Sequence, residues 1–263
     1  MNKRFVAIGL LVLAVACAKV PITGRNQMNL LPESELMGMS LTSYQDFLKE
    51  NPPLPGTDQR VQMVNGIGDK LAAAATKYCN DNGAASRVAG FNWEFNVVDD
   101  PTVNAWCMPG GKVVVYTGIL PVTQDEAGLA VVMGHEIAHA IARHGNERMS
   151  QGVLTQLGGV ALTVALSEKP AQTQNLFLQS YGIGSQLGML AYSRNHESEA
   201  DKMGLIFMAM SGYDPRTAPK FWERMSAGGG AAVPELLSTH PSDATRVRDL
   251  EAYMPKALEY YKP

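Results

Sequence analysis

The stretch Leu129-Ala130-Val131-Val132-Met133-Gly134-His135-Glu136-Ile137-Ala138-His139-Ala140-Ile141 decides how the rest of the chain is read. It is apolar all round except at His135, Glu136 and His139, the pattern of a helix buried on every side. Positions four apart on a helix share a face, so His135 and His139 project side by side. Their imidazoles can bind one ion, while Glu136 points beside it and can take a proton from an attacking water. Two histidines and a glutamate in an apolar helix need partners, because their desolvation otherwise costs several kcal/mol. One Zn2+ per chain satisfies all three, provided a third protein ligand comes from elsewhere and one position stays open.

The segment Ser193-Arg194-Asn195-His196-Glu197-Ser198-Glu199-Ala200-Asp201 is the best donor of that ligand. It opens a predicted helix over 194–211, on which Glu197 and Asp201 share a face and Glu199 faces elsewhere. One of the two carboxylates binds the ion and the other takes the N–H of a ligand histidine, as outer partners in metal sites commonly do. The residues alone leave open which does which. Thr123-Gln124-Asp125-Glu126 fits a capping box for a helix running to about His144, with Gly145 as its stop. Further helices are predicted over 33–50, 57–79 and 215–226, and a last one after Pro241, capped by Ser242-Asp243. Gly228-Gly229-Gly230 reads as a loop, and the apolar 146–192 as a core helix or helical hairpin, with a lid or membrane contact as alternatives. Alternation from Phe91 to Val97 and the β-branched run Lys112 to Thr117 predict two strands. The predicted class is α+β, mainly helical with a small, mostly antiparallel sheet.

The chain has 263 residues, 46% hydrophobic and 18% charged, with a formal net charge of −3. That suffices for one sizeable core, and the lack of a basic surplus argues against nucleic acid as a partner. Lys3 and Arg4 precede an apolar run from Phe5 to Ala18, shorter than the roughly 20 residues a spanning helix needs. It reads as a secretory signal over 1–16. Leu13-Ala14-Val15-Ala16-Cys17 resembles a bacterial lipobox, which makes Cys17 the expected lipidation site and the membrane a partner through that lipid. Residues 17–32 are expected to form a tether and 33–263 a single domain. Cys79 and Cys107 are then left, and an oxidising compartment would allow them to pair.

Four segments together resemble the HtpX-like family of gluzincin zinc metallopeptidases, in particular its small periplasmic lipoprotein members. They are Pro21-Ile22-Thr23-Gly24-Arg25-Asn26-Gln27, then Asn104-Ala105 through Pro109-Gly110-Gly111 to Thr117-Gly118, then His135 to His139, then Ser193-Arg194 with Glu197 and Ala200-Asp201. The resemblance implies a zinc endopeptidase with Glu197 as third ligand, Asp201 behind a ligand histidine and Glu136 as catalytic base. It implies that Val113, Val114 and Val115 form the edge strand of the cleft, pairing with extended substrate, and that Asn104 and Ala105 present backbone groups to it. His240 matches a histidine that either holds such enzymes latent or stabilises the oxyanion, and Arg194 is a further candidate for holding the developing anion. His144 and His196 receive no role. Some members carry a helical-repeat extension, which is not expected within these 263 residues. Unfolded or misassembled envelope proteins are the implied substrates, and the bacterial periplasm, at the outer membrane, the implied location. The rival reading is a non-catalytic lipoprotein chaperone or scaffold with a structural zinc.

Overall fold

The computed structural model describes residues 17–156, 167–181, 193–227, 236, 237, 240 and 245–262. In chain order these form β1 (Cys17–Lys19), β2 (Asn26–Met28), α1 (Glu33–Glu50), α2 (Gln59–Asp81), β3 (Glu94–Val98), β4 (Ala105–Met108) and β5 (Lys112–Tyr116). A short α3 (Leu120–Thr123) leads into α4 (Glu126–Ala142), α5 (His144–Gln156), α6 (Pro170–Tyr181), α7 (Arg194–Met210), α8 (Thr217–Ala227) and α9 (Arg246–Leu258). The α+β expectation matches this mainly helical architecture. The signal segment, the triple-glycine loop, the Ser242-Asp243 cap and parts of 146–192 lie outside the described residues. Within 146–192, α5 and α6 pack together, with Leu176 against Gly152.

The larger sheet has the order β3-β5-β4. β5 pairs antiparallel with β4 and parallel with β3, so the two strands read from sequence run parallel, and the antiparallel partner is one the periodicity did not reveal. Gly110 and Gly111, with φ of 85° and 82°, make the turn from β4 to β5, a conformation that favours glycine. Val113 and Val115 join one core cluster with α2, α4 and α7, while Val114 and Tyr116 join a second with α1, α5 and α6. A strand covered on both faces carries an unbroken apolar run.

This placement corrects the expectation for Val113, Val114 and Val115. β5 is hydrogen-bonded on both sides and is the central strand, so it has no free edge to offer a peptide. The open edge facing α4 belongs to β4.

α4 is buried from Gly128 to Ala142. Its N-cap is Asp125, whose carboxylate accepts from Gly128 N–H at 2.7 Å, two residues later than the capping box predicted. It ends at Arg143, left-handed at φ 58°, and not at Gly145, which lies inside α5 against Tyr181. α7 is capped by Ser193. It crosses α4 where Gly204 meets Gly134, a built Cβ at Gly204 lying 3.1 Å from His135 N. Glu197, Asp201 and Gly204 share one face of α7, so this crossing aims both carboxylates at the histidines.

The stretch 17–32 is more than a tether. β1 and β2 pair antiparallel, and Val20, Gln27 and Leu31 are buried against the domain. Cys79 and Cys107 are free, buried thiols in α2 and β4.

Candidate metal centre

His135 and His139 Nε2 lie 3.0 Å apart. Glu197 reaches both, its Oε2 at 3.3 Å from His135 and its Oε1 at 3.3 Å from His139. His240 completes the group, with Nδ1 at 3.3 Å from His135 Nε2 and 3.1 Å from Glu197 Oε1. All four are buried, and their ligand atoms lie within 4.8 Å of one another. Donors around a tetrahedral ion at about 2.0–2.2 Å sit roughly 3.3 Å apart, so these separations suit a single small cation. Among the described residues this is the one such group.

The electrostatics point the same way. Glu197 Oε2 and Glu136 Oε1 are buried oxygens with no hydrogen-bond partner. Burial raises the pKa of Glu136, opposed in part by His240 and His135. Burial also pushes Glu197 up, but His240 and His135 more than reverse this and hold it well below the usual carboxylate range. Burial takes His139 well below the usual imidazole value. At His135 burial acts the same way, yet Glu197 and Asp201 outweigh it and lift the pKa to about 9. Two imidazole nitrogens this close cannot both be charged. A divalent cation is the partner that this buried set of nitrogen and carboxylate donors fits.

Behind the donors, His135 Nδ1 lies 2.9 Å from Asp201 Oδ1. Asp201 also accepts from Arg246 Nη2 at 2.6 Å, and Arg246 Nη1 lies 3.3 Å from Glu197 Oε2. The guanidinium rests on Trp222, 3.3 Å from its centroid. Sequence reasoning missed Arg246 and Trp222, since neither stands near a histidine or acidic residue of the motif. It put a guanidinium at Arg194, which is exposed at the start of α7 and lines a cavity of about 280 Å³ shared with Glu197 and Arg246. His144 and His196, left without a role, are buried and stacked with ring centroids 4.5 Å apart.

Glu136 points toward His240, whose Nε2 is 3.6 Å from its Oε1. Asn104 and Ala105 are buried at the start of β4. Tyr116 N–H donates to Asn104 O, and Asn104 Oδ1 accepts from Ala105 N–H. The first bond fixes Asn104, Trp106 and Met108 as the residues bonded to β5, so the alternate residue Cys107 turns its backbone N–H and C=O to the open edge. Just upstream, Val103 O accepts from Leu236 N–H at 3.3 Å.

The sequence pattern of peptidase family M48 matches residues 70–254. The chain belongs to peptidase family M48. By family it is a metalloprotease, in line with the gluzincin resemblance. M48 relatives include the mitochondrial metalloendopeptidase OMA1 of Schizosaccharomyces pombe, 33% identical over 242 residues, 90% of this chain and 66% of the relative. The human metalloendopeptidase OMA1 is 34% identical over 248 residues, 91% of this chain and 46% of the relative. The beta-barrel assembly-enhancing protease of Escherichia coli is 27% identical over 212 residues, 78% of this chain and 41% of the relative. The chain thus spans between about two fifths and two thirds of the length of these relatives.

Proposed function

We propose that the protein is a zinc-dependent endopeptidase acting on unfolded or misassembled cell-envelope proteins, held at a membrane by lipid on Cys17. The observation that carries the reading is the buried group His135, His139, Glu197 and His240 with Glu136 beside it. Bound there, zinc would polarise the scissile carbonyl and acidify water. Glu136, on the same helical turn, accepts the proton of the attacking water and returns it to the leaving amine. Asp201 and Arg246 hold His135 and Glu197 in place for that step. An extended peptide pairs with the outward backbone of Cys107, a mode of binding with little sequence preference.

The envelope location draws on the lipobox-like segment before Cys17 and on the printed name of the Escherichia coli relative, although other relatives are named as mitochondrial. No helix among the described residues is long and apolar enough to cross a membrane, and a lipid anchor does not require one.

One observation favours a latent form of this enzyme. His240 supplies a fourth donor, and Leu236, four residues before it, bonds to the backbone just upstream of β4. The chain's own residues therefore stand where water and substrate would enter. An unfolded protein incubated with the zinc-loaded enzyme should be cleaved, more slowly after chelation, and faster by His240→Ala than by wild type. No cleavage by either form would favour the non-catalytic scaffold, and an equal or lower rate in His240→Ala would count against latency.

A further inference from the structure

Each of the two histidines on α4 has a partner behind it, and the two partners differ. His135 leans on Asp201, whose charge Arg246 balances. His139 Nδ1 lies 2.9 Å from His144 Nδ1. His144 Nε2 in turn lies 3.1 Å from Glu199 Oε2. Glu199 is held from the far side by the N-terminal segment, accepting from Thr23 Oγ1 at 2.6 Å and from Arg25 Nε at 2.9 Å. The other edge of the Arg25 guanidinium makes a two-pronged pair with Glu147, at 2.8 and 2.6 Å. Gln27 Nε2 donates to Ala142 O, the last residue of α4, at 2.6 Å.

We propose that Thr23, Arg25 and Gln27 form a positioning clasp for the metal centre, acting on His139 through Glu199 and His144. The inference rests on the metal reading above. With Nε2 of His139 turned to the ion, its Nδ1 carries the proton and donates to His144 Nδ1. His144 then carries its own proton on Nε2 and donates to Glu199. That order of donors works only while Glu199 stays an acceptor, which is what the Arg25 and Thr23 contacts secure. Arg143 makes the arrangement possible. Its left-handed backbone breaks α4 from α5, so His144 folds back toward His139 where a continuous helix would carry it around the axis. The clasp lies outside residues 70–254, the part that the M48 pattern matches, so it reaches the site from a distant stretch of the sequence. Arg25 fills the space between Glu147 and Glu199 with a guanidinium, which argues against a second cation there.

The test is a double-substitution cycle on the full chain, with Arg25→Ala and His144→Ala, read as zinc affinity in competition with a chelator and as the visible spectrum of the cobalt(II) form. Removing an outer partner of a ligand histidine typically costs 10- to 100-fold in metal affinity. Each single variant should lose about 10-fold or more. The double variant should lose no more than the weaker-binding single, and the cobalt spectra of all three should shift to one form, because both changes break the same chain. Wild-type affinity in Arg25→Ala, or losses that multiply in the double, would overturn the proposal. If Arg25→Ala does not fold, Thr23→Val removes one donor to Glu199 with little change of shape and reads the same coupling. Wild type that takes up no zinc would overturn the metal reading itself, whereas wild type that binds zinc beside unaffected variants would sink only the clasp.

Discussion

Arg246 touches both Asp201 and Glu197, and its guanidinium sits over the Trp222 ring, 3.3 Å from the centroid. A guanidinium does this because its planar fork can address two acceptors while its face stacks on an aromatic ring. Removing it leaves Asp201 and Glu197 buried without their positive partner. Breaking a buried pair from one side costs about 3–5 kcal/mol, so Arg246→Ala should lower the urea midpoint sharply. Arg246→Lys should not restore it, since a point charge cannot bridge both acceptors and stack as well; recovery by lysine would show that net charge alone matters there. The spacing of His135, Glu136 and His139 announces itself within one helical turn, and Glu197 with Asp201 within another. Arg246 and His144 have no such local signature. Arg246 becomes meaningful only when α9 packs beside α7, and His144 only because Arg143 turns left-handed.

Two helices set the distance between histidines and carboxylates, and Gly134 and Gly204 face each other in close contact where they cross. Two opposed effects follow from Gly204→Ala. The helix itself gains roughly 1 kcal/mol, the usual difference between glycine and alanine. Against that, the new Cβ would meet backbone atoms of α4 at 3.1 and 3.2 Å, which cannot rotate aside. Overpacking of this kind costs about 1–3 kcal/mol, so the clash wins. The variant should be less stable by about 1 kcal/mol in urea unfolding, and it should bind zinc more weakly because His135 and Glu197 move apart. Unchanged metal affinity would mean the crossing does not control the site. Val113-Val114-Val115 is an unbroken apolar run, the mark of a strand covered on both faces, whereas Phe95 and Val97 alternate with polar neighbours, as in an edge strand. Read that way, the central place of β5 was legible. The pairing partner β4 was not, because four residues without clear alternation carry too little periodicity.

Across the whole molecule, the N-terminal stretch is joined to the domain by a few apolar anchors, Val20 and Leu31, and by polar and charged contacts that carry no periodicity, which is why it reads as a tether in the sequence. Thr23, Arg25 and Gln27 dock on Glu199, Glu147 and the end of α4, partners that no local pattern reveals. This joint has a pH signature. Burial pushes the Glu147 carboxyl up, but the hydrogen bonds from Arg25 and His196 more than reverse this and hold it well below its ordinary value of 4.5. A carboxyl depressed on folding contributes stability that is complete above the unfolded value and is lost as pH falls through the folded one. The metal-free protein should therefore lose stability below about pH 4.5, and Glu147→Gln should lose less over the same interval. Urea midpoints at pH 7 and pH 3.5 check this, and equal losses in the two proteins would place the acid sensitivity elsewhere.

Zinc held by His135, His139 and Glu197, with Glu136 as the proton carrier, is the arrangement on which the proposed activity depends. Zinc content and cleavage of an unfolded protein, measured together on wild type and Glu136→Gln, test it most directly. Each protein should hold one zinc, and the variant should lose about 100-fold or more in rate. Cleavage by Glu136→Gln at the wild-type rate, or a wild type that takes up no zinc, would contradict it.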